Sequence, residues 1–241
     1  MTVPHVIAHR GSSASLPDNS WAAFEAAVVE GADVIECDVV ATRDDELVIR
    51  HDLAIDGRFV RDLSFTELKT AAPESIRLGE LLSWAERARI ALLVEIKEPD
   101  LALAAATMIG KTRWQDRITV GGFHAPALAA IKGVVPGIRT SFMVGSVVGA
   151  DELVQLARVY RVDGVHLCWE TRASYPHRLL DTPLIERLRH AGLVITLWHE
   201  EREDELRALV ALEPDAICTD TPAVLRRIVD AHREKDLKPV T

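Results

Sequence analysis

IECDVVATRDDELVIRHD, residues 35–52, decides the reading of this chain. Glu36 and Asp38 stand two apart inside an apolar run that reads as a strand, so both side chains point to the same face. Two carboxylates aimed into one space from a buried strand are costly to desolvate. A divalent cation with oxygen ligands is the simplest compensation. The chain then turns through Arg43-Asp44-Asp45-Glu46 and returns along LVIR to His51-Asp52. Upstream, His9-Arg10-Gly11 follows the apolar run Val6-Ile7-Ala8, so both histidines, the arginine and the paired carboxylates fall near strand ends.

Working outward, short apolar runs alternate with longer amphipathic ones. The predicted strands are 5–10, 33–40, 91–97, 118–123, 138–144, 164–169, 193–198 and 216–220. The clearest predicted helices are 20–30, 78–89, 101–111, 151–160, 183–191, 202–212 and 222–233. Asn19 or Ser20 can cap the first, Gly31 and Gly192 follow helix ends, and Pro222 sits in a first helical turn. Eight β-α alternations in 241 residues are the pattern of an α/β protein of the (β/α)8 TIM-barrel class. The rival, a doubly wound open sheet, expects a Gly-rich first turn, and HRGSSASLPDNS is not GxGxxG. Residues 1–241 read as a single barrel domain. The second strand is followed by a polar stretch, 53–76, which is short for a domain, shows no core of its own and reads as a loop insertion at the barrel mouth. The tail, 234–241, is polar and reads as frayed.

The formal net charge of −9 argues against nonspecific nucleic-acid binding, which needs clustered Lys and Arg. No apolar run approaches the ~20 residues that span a bilayer, and stable membrane association is not expected. The first strand begins by about Val6, which leaves no room for a leader, so a cytoplasmic location is the expectation. Cys37, Cys168 and Cys218 are far apart, without metal-ligand spacing, and read as reduced thiols.

In a barrel, function gathers at the C-terminal ends of the strands. His9 and Arg10 close the first strand, Glu36 and Asp38 the second, Glu95 and Lys97 the third, and His51 enters from the return arm. Glu36, Asp38 and Glu95 suit a hard-cation site, Arg10 and Lys97 supply charge for an anionic substrate, and His9 and His51 suit general acid and base roles. Taken singly, Glu95 and Lys97 could be an ion pair and either histidine structural. Convergence of seven ionisable residues on three adjacent strand ends points instead to metal-assisted phosphoester chemistry. Phe123 and Trp198, near the ends of strands four and seven, suit either the substrate pocket or rim packing. His166 reads as a satisfied strand histidine, and the helix at 202–212 as a solvated acidic face.

Residues 9–52, with LLVEIK, LVITLW and TDTP further on, resemble the glycerophosphodiester phosphodiesterase family, whose signature runs HRG, PENT, an alanine-rich helix and GADxIExDVxxTxDGxxVxxHD. The resemblance implies a (β/α)8 barrel, catalytic His9 and His51, a phosphate-binding Arg10, an active-site Lys97, and Glu36, Asp38 and Glu95 as ligands of Mg or Ca. It implies cleavage of a glycerophosphodiester, a small-molecule substrate, to glycerol 3-phosphate and an alcohol, and so a place in lipid and glycerol metabolism. Departures are Pro17-Asp18-Asn19-Ser20 for PENT, Asp45 for a turn glycine, Gly122-Phe123 for Ser-Phe, and His199-Glu200-Glu201 for Thr-Val-Asn. The insertion also lacks Ile-Pro-Thr-Leu before the next helix. A lysophospholipase D-like activity would need an exposed apolar rim, which the sequence does not show. A non-catalytic phosphate-binding barrel would not need all seven groups. An amidohydrolase barrel expects His-x-His where this chain has His9-Arg10.

Overall fold

The computed structural model describes residues 3–236. β1 (His5–Ala8), α1 (Trp21–Val29) and β2 (Val34–Ala41) come first. An arm follows: β3 (Leu47–Ile49), the hairpin of β4 (Ala54–Ile55) and β5 (Arg58–Phe59), then α2 (Phe65–Ala71) and β6 (Ile76–Arg77). Regular alternation resumes with α3 (Leu78–Ala88), β7 (Ala91–Ile96), α4 (Ala102–Ile109), β8 (Ile118–Gly122) and α5 (Ala125–Val134). It continues through β9 (Arg139–Val144), α6 (Ala150–Tyr160), β10 (Gly164–Leu167) and α7 (Thr182–His190). β11 (Val194–His199), α8 (Glu203–Val210), β12 (Ala216–Thr219) and α9 (Pro222–Asp236) complete it.

β1 pairs in parallel with β2 on one side and β12 on the other. With β7 to β11 paired in parallel between them, eight parallel strands close into a barrel, as the alternation predicts. α1 starts where Ser20 accepts the Ala23 N–H, a cap worth about 1 kcal/mol. Its Phe24 is fully buried, and Trp21 packs on Trp84 of α3 with ring centroids 5.7 Å apart. No helix among the described residues is long and apolar enough to cross a membrane.

Three expectations need correction. The stretch 53–76 does carry a small core: Val60, Leu63, Phe65 and Leu68 bury themselves against Val40 and Val48 on the outside of β2 and β3. Phe65 and Leu68, three apart on α2, share one helix face, and Ser64 with Glu67 closes a reciprocal cap at its start. α5 is absent from the predicted helices, although Ala125, Leu128 and Ile131 line its buried face and Pro126 sits in its first turn. Glu205 of α8 is buried rather than solvated, taking the His177 ring at 2.8 Å. Of the tail, residues 234–236 continue α9, and 237–241 lie outside the described residues.

One device recurs at the lower end of the barrel. Asp33, Asp163 and Asp215 each stand just before a strand and accept the backbone N–H of the neighbouring strand, from Val6, Thr140 and Ile195, at 2.8, 2.7 and 2.7 Å. The carboxylates therefore pin β1 beside β2, β9 beside β10 and β11 beside β12. Burial pushes the Asp33 carboxyl up, but the His5 ring 3.6 Å away and hydrogen bonds from the Val6 N–H and Arg226 outweigh it, and the net shift is downward. A depressed carboxylate adds stability above its unfolded value and loses it as pH falls through the folded one. Asp33→Asn is therefore expected to lower Tm at neutral pH, with the gap to the parent closing as pH drops below the ordinary carboxylate range. A gap that stays constant down to pH 3, followed by thermal melts, contradicts this.

Candidate active site

Gly11 has φ +88°, and a side chain there would press within 2.6 Å of the Ala23 backbone. Only glycine lets the loop after β1 lie this close to α1. Arg10 before it is also left-handed, with φ 56°. That conformation is uncommon for a side-chain-bearing residue. Here it turns the Arg10 N–H onto Glu36 Oε2 at 3.0 Å. Its guanidinium Nε lies 3.0 Å from Asp38 Oδ2, and Nη1 donates to Asp18 Oδ2 at 3.1 Å. Aspartate at position 18, the shorter acid, still reaches.

β2 and β7 supply the acidic core. Their register sets Asp38 directly beside Glu95, and Glu36 lies on the same face one pleat below. The candidate ligand oxygens of Glu36, Asp38 and Glu95 lie within 4.8 Å of one another. Lys97 Nζ sits 2.9 Å from Glu95 Oε1 and 3.2 Å from Asp38 Oδ1. The contacts of Arg10 Nε and Lys97 with Asp38 are at ion-pair distance, yet neither Arg10 Nε nor Asp38 Oδ1 is aligned for a hydrogen bond. Asn19 adds a true one, its amide donating to Asp38 Oδ2 at 2.9 Å. Burial first, then Asp38 and Glu95, drives the Glu36 carboxyl well above its ordinary value. Burial opposes the charge of Lys97, but Glu95 and Asp38 outweigh it and raise its pKa.

This donor set fits a hard divalent cation. Three carboxylates converge, and Glu36 Oε1 is buried with no partner in the protein. Two cations, Arg10 and Lys97, leave the group one negative charge in excess. Three protein oxygens would leave the rest of the shell to water or substrate.

Around it, a cavity of about 180 Å³ is lined by His9, Arg10, Glu36, His51, Glu95 and Lys97. Phe123, His166, Glu170, Trp198 and His199 also line it. His9 is mostly buried, and its Nδ1 makes a 2.6 Å hydrogen bond with Asp220 Oδ1. Asp220 also accepts the Ser13 hydroxyl at 2.9 Å. Burial raises the Asp220 carboxyl, but the bond from His9 and the contact with Ser13 outweigh it and lower its pKa. A carboxylate bonded to Nδ1 fixes that nitrogen as the protonated one and leaves Nε2 basic. His51 is half-exposed, with Nδ1 2.9 Å from Asp52 Oδ1.

The structure thus brings together at one mouth all nine residues singled out in the sequence. Phe123 is 54% exposed and forms the rim, whereas Trp198 is fully buried, its Nε1 unpartnered. Asp220, within TDTP, and Asn19, which reads as a helix cap, are site residues that the sequence does not mark as such. His166, expected to be satisfied, is buried with Nδ1 unpartnered, and burial, aided by His9 and His199, pushes its pKa down to about 3. Cys37 and Cys218 are buried free thiols, and Cys168 is half-buried. His5 and Ser141 belong to a separate cavity of about 140 Å³ at the opposite end of the barrel.

The sequence profile of the Glycerophosphoryl diester phosphodiesterase family matches residues 9–224. A glycerophosphodiester phosphodiesterase of Caldanaerobacter subterraneus subsp. tengcongensis is 26% identical, over 93% of this chain and 97% of its own. The crystal structure of a Parabacteroides distasonis glycerophosphodiester phosphodiesterase superposes with TM-score 0.80 at 23% identity, covering 96% and 99% of the two chains. An Oleispira antarctica phosphodiesterase, solved with sn-glycerol-3-phosphate as product, gives TM-score 0.81 at 23% identity over 95% and 97%.

Proposed function

Because the chain belongs to the glycerophosphoryl diester phosphodiesterase family, we propose that it hydrolyses glycerophosphodiesters to glycerol 3-phosphate and an alcohol at the mouth of its barrel, with a divalent cation held by Glu36, Asp38 and Glu95. The observation that carries this reading is the convergence of those three carboxylates, with Glu36 Oε1 buried and unpartnered, beside two cationic and two imidazole side chains. When bound, the cation would act as a Lewis acid that offsets the negative charge of the phosphodiester. The product seen in the Oleispira protein is the one expected here.

This chain's own residues do the remainder. A phosphodiester anion repels an incoming nucleophile until its nonbridging oxygens are neutralised. Arg10 offers a planar guanidinium and Lys97 a point charge, both already held by carboxylates at the mouth. Hydrolysis forms one P–O bond and breaks another, so one proton must leave the nucleophile and one must reach the departing alkoxide. His9, with Nδ1 tied to Asp220, presents Nε2 for one transfer, and His51, tied to Asp52, serves the other. Phe123, exposed at the rim, walls the side where the alcohol leaves, and the buried Trp198 packs in the core.

The test is release of glycerol 3-phosphate from diesters of choline, ethanolamine, glycerol and inositol, before and after chelation. Release that stops on chelation and returns with Mg, Mn or Ca is the expected result. Folded protein that releases nothing from any of them, whatever cation is restored, overturns the reading.

A further inference from the structure

His199 has no part in the reaction as set out above, yet it sits against a residue that does. Between Leu197 and His199, β11 slips one residue against β12: Leu197 stands opposite Ile217 and His199 opposite Cys218. Trp198 is therefore the extra residue of a bulge. In a regular strand, consecutive side chains point to opposite faces, and a bulge breaks that alternation. Trp198 and His199, neighbours in sequence, accordingly both line the mouth.

There the His199 ring lies flat on the His9 ring, with centroids 4.5 Å apart and planes 6° from parallel. Its edges face two carboxylates without being bonded to either. Nδ1 is 3.5 Å from Glu201 Oε1, Nε2 is 3.9 Å from Glu170 Oε1, and Nδ1 is buried with no hydrogen bond. A metal-binding reading of His9, His199 and Asp220 is weak, because His9 Nδ1 is already spent on Asp220 and the lone pairs of parallel rings do not converge.

The hydrogen bond to Asp220 fixes one nitrogen of His9 but not the plane of its ring, which can still pivot about that contact. A flat partner removes the pivot. We propose that His199 is a positioning residue, a plate that sets the plane of His9 and so aims Nε2 at the reacting phosphodiester. The proposal rests on the proton-transfer role given to His9. It requires a planar ring at position 199 and not an ionisable one, which separates it from a role in which His199 itself moves a proton.

The experiment compares His199→Ala and His199→Phe for diester hydrolysis, thermal stability and crystal structure. Misaiming a reacting group by about 1 Å can cost 100-fold, so His199→Ala is expected to lower kcat by roughly 10- to 100-fold with KM within about twofold. His199→Phe, which keeps the plate, is expected within about threefold of the parent. The His9 ring should be turned in the alanine variant and unmoved in the phenylalanine one. The proposal is overturned if the phenylalanine variant, folded, is as slow as the alanine one, if the alanine variant keeps full kcat, or if His9 is unmoved in it. Absence of hydrolysis by the parent protein would instead defeat the proposed function, and the ring geometry would still decide the role of His199.

Discussion

Replacing His9 by alanine is expected to lower the rate of diester hydrolysis by about 100- to 10,000-fold, the usual worth of a placed acid or base. The loss should fall on kcat, because Arg10 and Lys97, which hold the anion, are untouched. Asp220→Asn should lose less. An amide in that place can no longer hold a charge beside His9, and it offers its own N–H to the nitrogen it should orient. Ser13 would still hold the side chain of residue 220 in position. Initial rates of glycerol 3-phosphate release, with circular dichroism to confirm folding, are the measurement. A fully active His9→Ala protein would remove His9 from the chemistry.

The second large effect concerns the acidic core. Glu36 is buried, its carboxyl is pushed up by burial, Asp38 and Glu95, and one oxygen has no partner. In the absence of a cation, Glu36→Gln relieves that repulsion while its carbonyl can still accept the Arg10 N–H. The metal-free variant is therefore expected to melt above the metal-free parent. With a cation added, the order should reverse. A ligand at 100 times its Kd adds about 2.7 kcal/mol to the form that binds it. For a domain of this size that is a rise in Tm of about 5–10 °C in the parent and little in the variant. Activity should be lost with the thermal response. Differential scanning calorimetry with Mg, Mn and Ca in turn reads both. A parent whose Tm ignores every divalent cation, yet which hydrolyses diesters after chelation, would exclude the three-carboxylate site.

Much of the site is legible in the sequence, and the reason is local. Glu36 and Asp38 declare their common face by spacing alone, and Glu95 with Lys97 repeats the pattern one parallel strand away. Asp220 does not declare itself. It meets His9 across 211 residues of chain, and only the closure of β12 onto β1 makes them neighbours. Asn19 looked like a helix cap because its type suits one; Ser20 takes that duty, and Asn19 turns inward to Asp38. His199 is hidden for a different reason. Strict alternation puts Trp198 and His199 on opposite faces, and no residue in LVITLWHEE announces the slipped register. The core beneath residues 53–76 is not evident in the sequence because its apolar residues are few and their partners, Val40 and Val48, lie outside the segment.

The three aspartates at the lower end also bear on how this protein could acquire new substrates. Asp33, Asp163 and Asp215 fasten neighbouring strands at the end opposite the mouth, so these three fastenings and the chemistry share no side chain. A library over Phe123 and Glu170, both lining the mouth, can therefore vary the wall around the departing alcohol while those fastenings stay intact. Laboratory evolution of leaving-group preference should find this scaffold tolerant, its surviving variants separated by selectivity more than by folding.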